Sequence, residues 1–200
     1  MEKLTHNIAT EILHKNMLNV NLRRHCYAVS VAMRALYRYF KKEGRNESSV
    51  NNLSEEDWGV VGLLHDADYE ITKDNWEKHT IMLLDWLKVY DVHSHIVEAF
   101  KSHNTKVTHL REPETLLEWS LECVDELTGF IVACALVKPD KKLVSVDVDS
   151  VKKKWKQKEF ARTVSREQIE QCSEKLGISL DKFMEVTLSA MQEDAVKLGL

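Results

Sequence analysis

Chain breakers are scarce in this sequence. Its 200 residues include only 2 prolines and 6 glycines. These residues interrupt helices and build tight turns, so their scarcity argues against a fold of many reversals and for long helices. Long hydrophobic runs are missing too. No stretch approaches the roughly 18 apolar residues of a membrane span. The opening "MEKLTHNIATEILHKN" mixes acids and bases, without the apolar centre of a signal peptide. The expectation is a cytoplasmic protein that does not engage a membrane. No excess of one charge is present: the net charge is −4. Nothing global therefore favours nucleic acid as a partner. Clustered thiols are also absent. Cys26, Cys123, Cys134 and Cys172 form no C-x-x-C pair and each lies in a helical pattern. That excludes a thiolate zinc cluster and reads as four small buried apolar residues.

What is present is helical periodicity. A short amphipathic helix is expected over 5–18. A long one follows in "LRRHCYAVSVAMRALYRYFKKEG", closed by Lys41, Lys42 and Gly44. "RNESSVNN" reads as a polar loop. Ser54 with Asp57 forms a capping box that opens "SEEDWGVVGLL". Helices are expected from about Asp74 to Val89, from Asp91 to Ser102, and from Pro113 to Val137, with Pro113 in a first turn. "VSVDV" alternates and suggests a short extended segment. Ser165 with Gln168 reads as a second capping box, and "GISLDKFMEVTLSAMQEDAVKLG" as a closing helix. With 44% hydrophobic residues and no internal repeat or linker, the chain reads as one all-α domain spanning 1–200.

Several of the nine histidines fall on apolar faces. Residues three, four and seven apart share a helix face. His25 shares one with Ala28, Val29, Ala32 and Leu36; His65 shares one with Trp58, Val61 and Gly62. His79 lies with Met82, Leu83 and Trp86, and His103 follows Ile96, Ala99 and Phe100. Asp125 follows Leu117, Leu121 and Glu122. His6, His14, His93, His95 and His109 read as surface or loop residues. One buried imidazole is ordinarily a hydrogen-bonded core residue. Several, each needing its own partner, would be costly, whereas one shared metal centre satisfies them together. Imidazole and carboxylate suit iron, manganese and zinc, and helical bundles build such centres in their interiors.

The order of these residues carries a resemblance. His25, the doublet His65–Asp66 in "GLLHD", and Asp125 in "ECVDELTG" resemble the HD-domain superfamily of metal-dependent phosphohydrolases. His79 in "KHTIMLLDWL" and His103 in "IVEAFKSHN" sit where its two-metal branch adds two histidines. "LTGFIVACALVKP" and "SVKKKWKQKEFA" are similar to small bacterial HD hydrolases. The resemblance implies an HD-domain helical bundle over about 20–135, with a C-terminal helical extension over about 136–200 packed on it. It further implies two divalent transition-metal ions, iron or manganese first and zinc, nickel, cobalt or magnesium as alternatives. Asp66 would bridge them. His25, His65 and Asp125 would complete one site; His79 and His103 the other. Asn104 stands where many two-metal members carry Thr or a second His, and the Gly-Tyr-Pro signature is missing. Both features speak against a cyclic dinucleotide as substrate.

Such a site would hydrolyse a phosphate ester or anhydride of a nucleotide or small metabolite by a metal-activated hydroxide. No Ser-His-Asp or Cys-His arrangement competes. Asp68 could orient a ligating histidine, or simply cap the next turn. Arg24, beside His25, is a candidate phosphate contact. Lys152, Lys153, Lys154, Lys156 and Lys158 read mostly as a solvated face over Trp155 and Phe160, with one or two lysines able to reach a pocket mouth. A di-iron HD oxygenase and a non-catalytic metal-binding interaction module are the alternative functions. Oligomeric state is not legible.

Overall fold

The residues that should fill a helical core do so. The structure, a computed structural model, describes residues 1–200. Its helices are α1 (His6–Asn16), α2 (Val20–Lys42), α3 (Ser48–Asn51), α4 (Glu55–Leu64) and α5 (Tyr69–Thr72). After them come α6 (Ile81–Leu87), α7 (Ser94–His103), α8 (Thr105–Thr108) and α9 (Leu116–Leu136). The chain closes with α10 (Val148–Trp155), α11 (Arg166–Lys175), α12 (Leu180–Glu193) and α13 (Ala195–Leu198). The only strand pairing is a two-residue parallel contact of β1 (Glu2–Lys3) with β2 (Tyr90–Asp91). The protein is all-α, and no helix is long and apolar enough to cross a membrane.

Helix α2 is the centre of the bundle. Asn19 caps it by accepting from the amides of Asn21 and Leu22, and the chain leaves it through Gly44 at φ +68°. Its buried stripe, from Cys26 through Phe40, packs most extensively on α4 and then on α12 and α9. The α2–α4 pair is tight because Gly62 has no side chain. A Cβ there would lie 2.8 Å from the backbone of Ser30. Trp58, Phe40, Phe100, Phe130 and Phe183 are fully buried in one core that runs from Leu4 to Leu198. Residues beyond 136 contribute to that core through Leu143, Val151, Ile169, Phe183 and Met191. All four cysteines are free and buried, as their helical placement suggested.

Local expectations fail where tertiary contacts outcompete periodicity. "RNESSVNN" contains α3, capped by the Glu47 side chain. The helix expected over 74–89 is instead a 3₁₀ turn (Trp76–Lys78) followed by α6, with Thr80 between them at φ +69°. Residue 91 belongs to β2, so α7 begins at Ser94. Pro113 precedes α9, whose cap is a Thr115–Glu118 capping box. "VSVDV" forms no strand: it begins in a 3₁₀ turn (Leu143–Ser145), only Val146 and Asp147 are extended, and Asp147 caps α10. The closing helix breaks at Asp194 into α12 and α13.

Candidate metal centre

Five parts of the chain deliver six polar side chains to one cluster in the interior. His25 projects from the second turn of α2. His65 and Asp66 directly follow α4, whose residues from Trp58 to Leu64 are buried. His79 stands between the 3₁₀ turn and α6, and His103 is the last residue of α7. Asp125 comes from the middle of α9. The backbone leaves its helical path at or beside His65, His79 and His103, which frees those rings to turn inward.

The geometry divides at Asp66. Its Oδ2 faces His25 Nε2 (3.8 Å) and His65 Nε2 (3.6 Å); its Oδ1 faces His79 Nε2 (3.3 Å) and His103 Nε2 (3.4 Å). On the first side, Asp125 Oδ1 lies 2.8 Å from His25 Nε2 and 3.5 Å from His65 Nε2. Two triads, His25–His65–Asp125 and His65–Asp66–His103, each bring their ligand atoms within 4.8 Å of one another. The structure therefore brings all six expected ligands together.

The ring nitrogens turned away from the centre are held. His65 Nδ1–H donates to Gly62 O (2.8 Å), His79 Nδ1–H to Asp68 Oδ1 (2.7 Å), and His103 Nδ1–H to Glu122 Oε1 (3.3 Å). A carbonyl or carboxylate only accepts, so in the neutral ring the proton sits on Nδ1 and the Nε2 lone pair faces the centre. His65 and His25 meet Nε2 to Nε2 at 3.2 Å. Lone pairs converging in this way suit a cation, and the donor set fits a divalent metal. Fully buried Asp68 does one of the two jobs considered for it, since its side chain does not cap α5, the turn that follows it. Its Oδ1 orients His79, and its Oδ2 accepts from Leu83 N (3.0 Å) at the start of α6.

Without metal, the cluster is a network of mutual ionisation. Burial alone would lower the His25, His79 and His103 pKa values. Contacts with Asp125 at His25, with Asp66 and Asp68 at His79, and with Asp66 and Glu122 at His103 override it. All three are raised, His103 well above the usual imidazole value. Burial would likewise raise Asp66 and Asp125, but His65 and the hydrogen-bonded histidines hold both carboxyls well below their usual range. A raised imidazole stabilises the fold below the unfolded value of 6.5, and that gain is lost as pH climbs through the folded value. A lowered carboxyl stabilises above 3.8 and loses its gain as pH falls. Metal-free protein is thus expected to be most stable between these values and to lose melting temperature as pH rises past neutrality. Metal binding requires unprotonated Nε2, so the metal-induced gain should grow over the same range. Thermal melts from pH 5.5 to 8.5, chelated against loaded, check these opposite slopes; parallel slopes would contradict them.

A cavity of about 240 Å³ opens on the centre. Its wall includes Tyr69, Trp76, Asn104, Lys106, Glu122, Glu126 and Gln168. Arg24 is not on it. This exposed side chain reaches Asn21 Oδ1 (3.4 Å), packs on Gly199 and lines a second cavity, where His25 alone of the six is present. The Lys152–Lys158 run stays away as well. Lys152 pairs with Asp181 (2.5 Å), and Lys154 lies 4.8 Å over the Phe160 ring. The lysine on the cavity wall is Lys106.

Glu122 and Gln168 are not among the expected site residues. Glu122 carried a signal: it is a carboxylate three residues before Asp125, among the same apolar neighbours. Gln168 carried a misleading one. Ser165 Oγ does accept from Gln168 N (3.3 Å), but the Gln168 side chain crosses to α9 and donates to Glu122 O (2.8 Å) and Oε2 (3.1 Å). The Ser165 amide is satisfied by Glu126 Oε2 instead (3.0 Å). No protein-family model, curated protein or solved structure matches the chain.

Proposed function

We propose that this chain is a metal-dependent phosphohydrolase of the HD-domain type, holding two divalent transition-metal ions and acting on a small phosphorylated metabolite. The observation that carries the reading is the division of four histidines by the two oxygens of Asp66. His25, His65, Asp125 and Asp66 Oδ2 would hold one ion; His79, His103 and Asp66 Oδ1 the other. Ions bound there supply Lewis acidity and lower the pKa of coordinated water.

The protein's own share is orientation and containment. Gly62, Asp68 and Glu122 fix three imidazoles, so little reorganisation is needed when a phosphate arrives. Gln168 braces Glu122 from α11. Asn104 spends its amide on the Trp76 carbonyl (2.8 Å), shaping the cavity mouth rather than its floor. Lys106 offers a positive charge to the non-reacting oxygens of the substrate.

Protein purified without chelator should carry about two equivalents of transition metal, with iron and manganese tested first. The loaded protein should turn over members of a phosphate-ester panel equally well under air and nitrogen. Turnover that requires O₂ would replace the hydrolase with an iron-pair oxygenase. A fully loaded protein inert on the whole panel would remove the enzymatic reading.

A further inference from the structure

Of the cavity's twelve wall residues, only two are hydrophobic. Among them stand the aromatic pair Tyr69 and Trp76, side by side, with ring centroids 5.5 Å apart at 67°. Trp76 is 48% exposed, an unusual expense for an indole in a protein that buries Trp58 completely. Its position is nevertheless fixed. The Asn104 amide holds its carbonyl, and its ring meets Tyr69 and His79 edge to face, the latter at 5.7 Å. A large aromatic face held open beside a polar site is what a planar ring stacks on.

The charges on the same wall are unequal. Asp66, Glu122, Asp125 and Glu126 face one cation, Lys106. Lys106 donates to Gln168 Oε1 (3.0 Å) and has no carboxylate within salt-bridge distance, so its charge is free for a ligand. Ions held on Asp66 and Asp125 would offset those two carboxylates, so a phosphate would meet the centre and Lys106 together. Trp76 lies three residues before His79 and Lys106 three after His103, on short elements that pack together. Ring platform and cation thus flank the same half of the centre.

Building on the phosphohydrolase reading, we propose that this mouth selects phosphomonoesters carrying a planar ring, with Trp76 as the stacking platform and Lys106 as the contact for a phosphate oxygen. Alkyl phosphates are disfavoured. The test is calorimetric binding of two non-hydrolysable probes, phenylphosphonate and methylphosphonate, to the metal-loaded full chain. The wild type should bind the phenyl probe about tenfold tighter or more, as one stacked ring allows. Trp76→Ala should abolish that preference and leave the methyl probe unchanged, while Trp76→Phe retains most of it. Lys106→Gln should weaken both probes by a common factor. Hydrolysis of phenyl phosphate over glycerol phosphate should follow the same order in KM. Equal binding of the two probes by the wild type, or a preference that survives in Trp76→Ala, overturns the ring subsite alone. Unchanged affinities in Lys106→Gln overturn the role of that lysine. Failure of the loaded protein to bind either probe overturns both the subsite and the phosphohydrolase reading. Binding without hydrolysis of any ester sinks the hydrolase and leaves a ring-selective phosphonate site.

Discussion

Gly62→Ala should destabilise the protein by about 2 kcal/mol or more and lower metal content with it. Alanine would normally favour a helix interior by about 1 kcal/mol over glycine. Here the added methyl would sit 2.8 Å from Ser30 N, Ser30 Cα and Val29 C, all backbone atoms of α2. No rotamer change relieves that contact, so α2 and α4 must separate. Overpacking of this kind costs about 1–3 kcal/mol, and more where the neighbour cannot yield. The separation also disturbs chemistry. His25 and His65 come from these two helices and meet at 3.2 Å, and the Gly62 carbonyl itself orients His65. Gly129→Ala is the contrast. It too lies within a helix, but nothing lies within 4 Å of its added Cβ, so it should stabilise by about 0.5–1 kcal/mol. Denaturant midpoints and metal analysis of the two variants test the pair. Equal stability changes in both would show that the α2–α4 crossing is not controlled at Gly62.

The fold class and the meeting of six candidate ligands were legible for related reasons, and each failure has a physical cause. His25 and Asp125 lie within regular helices, where face arithmetic applies. His103 ends one and obeys the same rule. His79 reaches the centre for a different reason. The helix that placed it beside Met82 and Leu83 is broken at Thr80, and the buried Asp68 holds the ring and the start of α6 together. Nothing in local periodicity signals that break, because its cause lies eleven residues upstream. Gln168 shows the same limit: a capping pattern is local, whereas its carboxylate partner sits on another helix. Arg24 and the lysine run were chosen for charge near a motif, or for charge density. Lys106, isolated in "NTKVTH", is brought to the cavity only by the chain reversal after α7. Glu122 was within reach, since the argument that selected Asp125 applies to it three residues earlier.

Asp66→Ala should reduce bound metal from about two equivalents to none, and its comparison with single-sided variants locates the reason. Asp66 is the one side chain with an oxygen toward each half of the cluster. Removing it takes a ligand from both ions. Asp125→Ala takes one only from the side of His25 and His65, so an ion at His79 and His103 should survive. His79→Ala should leave the opposite ion. In metal-free protein the same carboxylate compensates the imidazoles of His79 and His103 directly, and that of His25 at longer range. Its removal should therefore lower the melting temperature near pH 6 and flatten the decline toward pH 8, because the raised imidazoles fall back toward their ordinary values. Metal analysis reads the first effect and chelated melts the second. If Asp66→Ala and Asp125→Ala each lose one ion, the bridge is wrong and the two sides are independent sites. If Asp66→Ala loses metal but leaves the metal-free pH profile unchanged, the imidazoles are balanced by Asp68, Glu122 and Asp125, and Asp66 serves the metals alone.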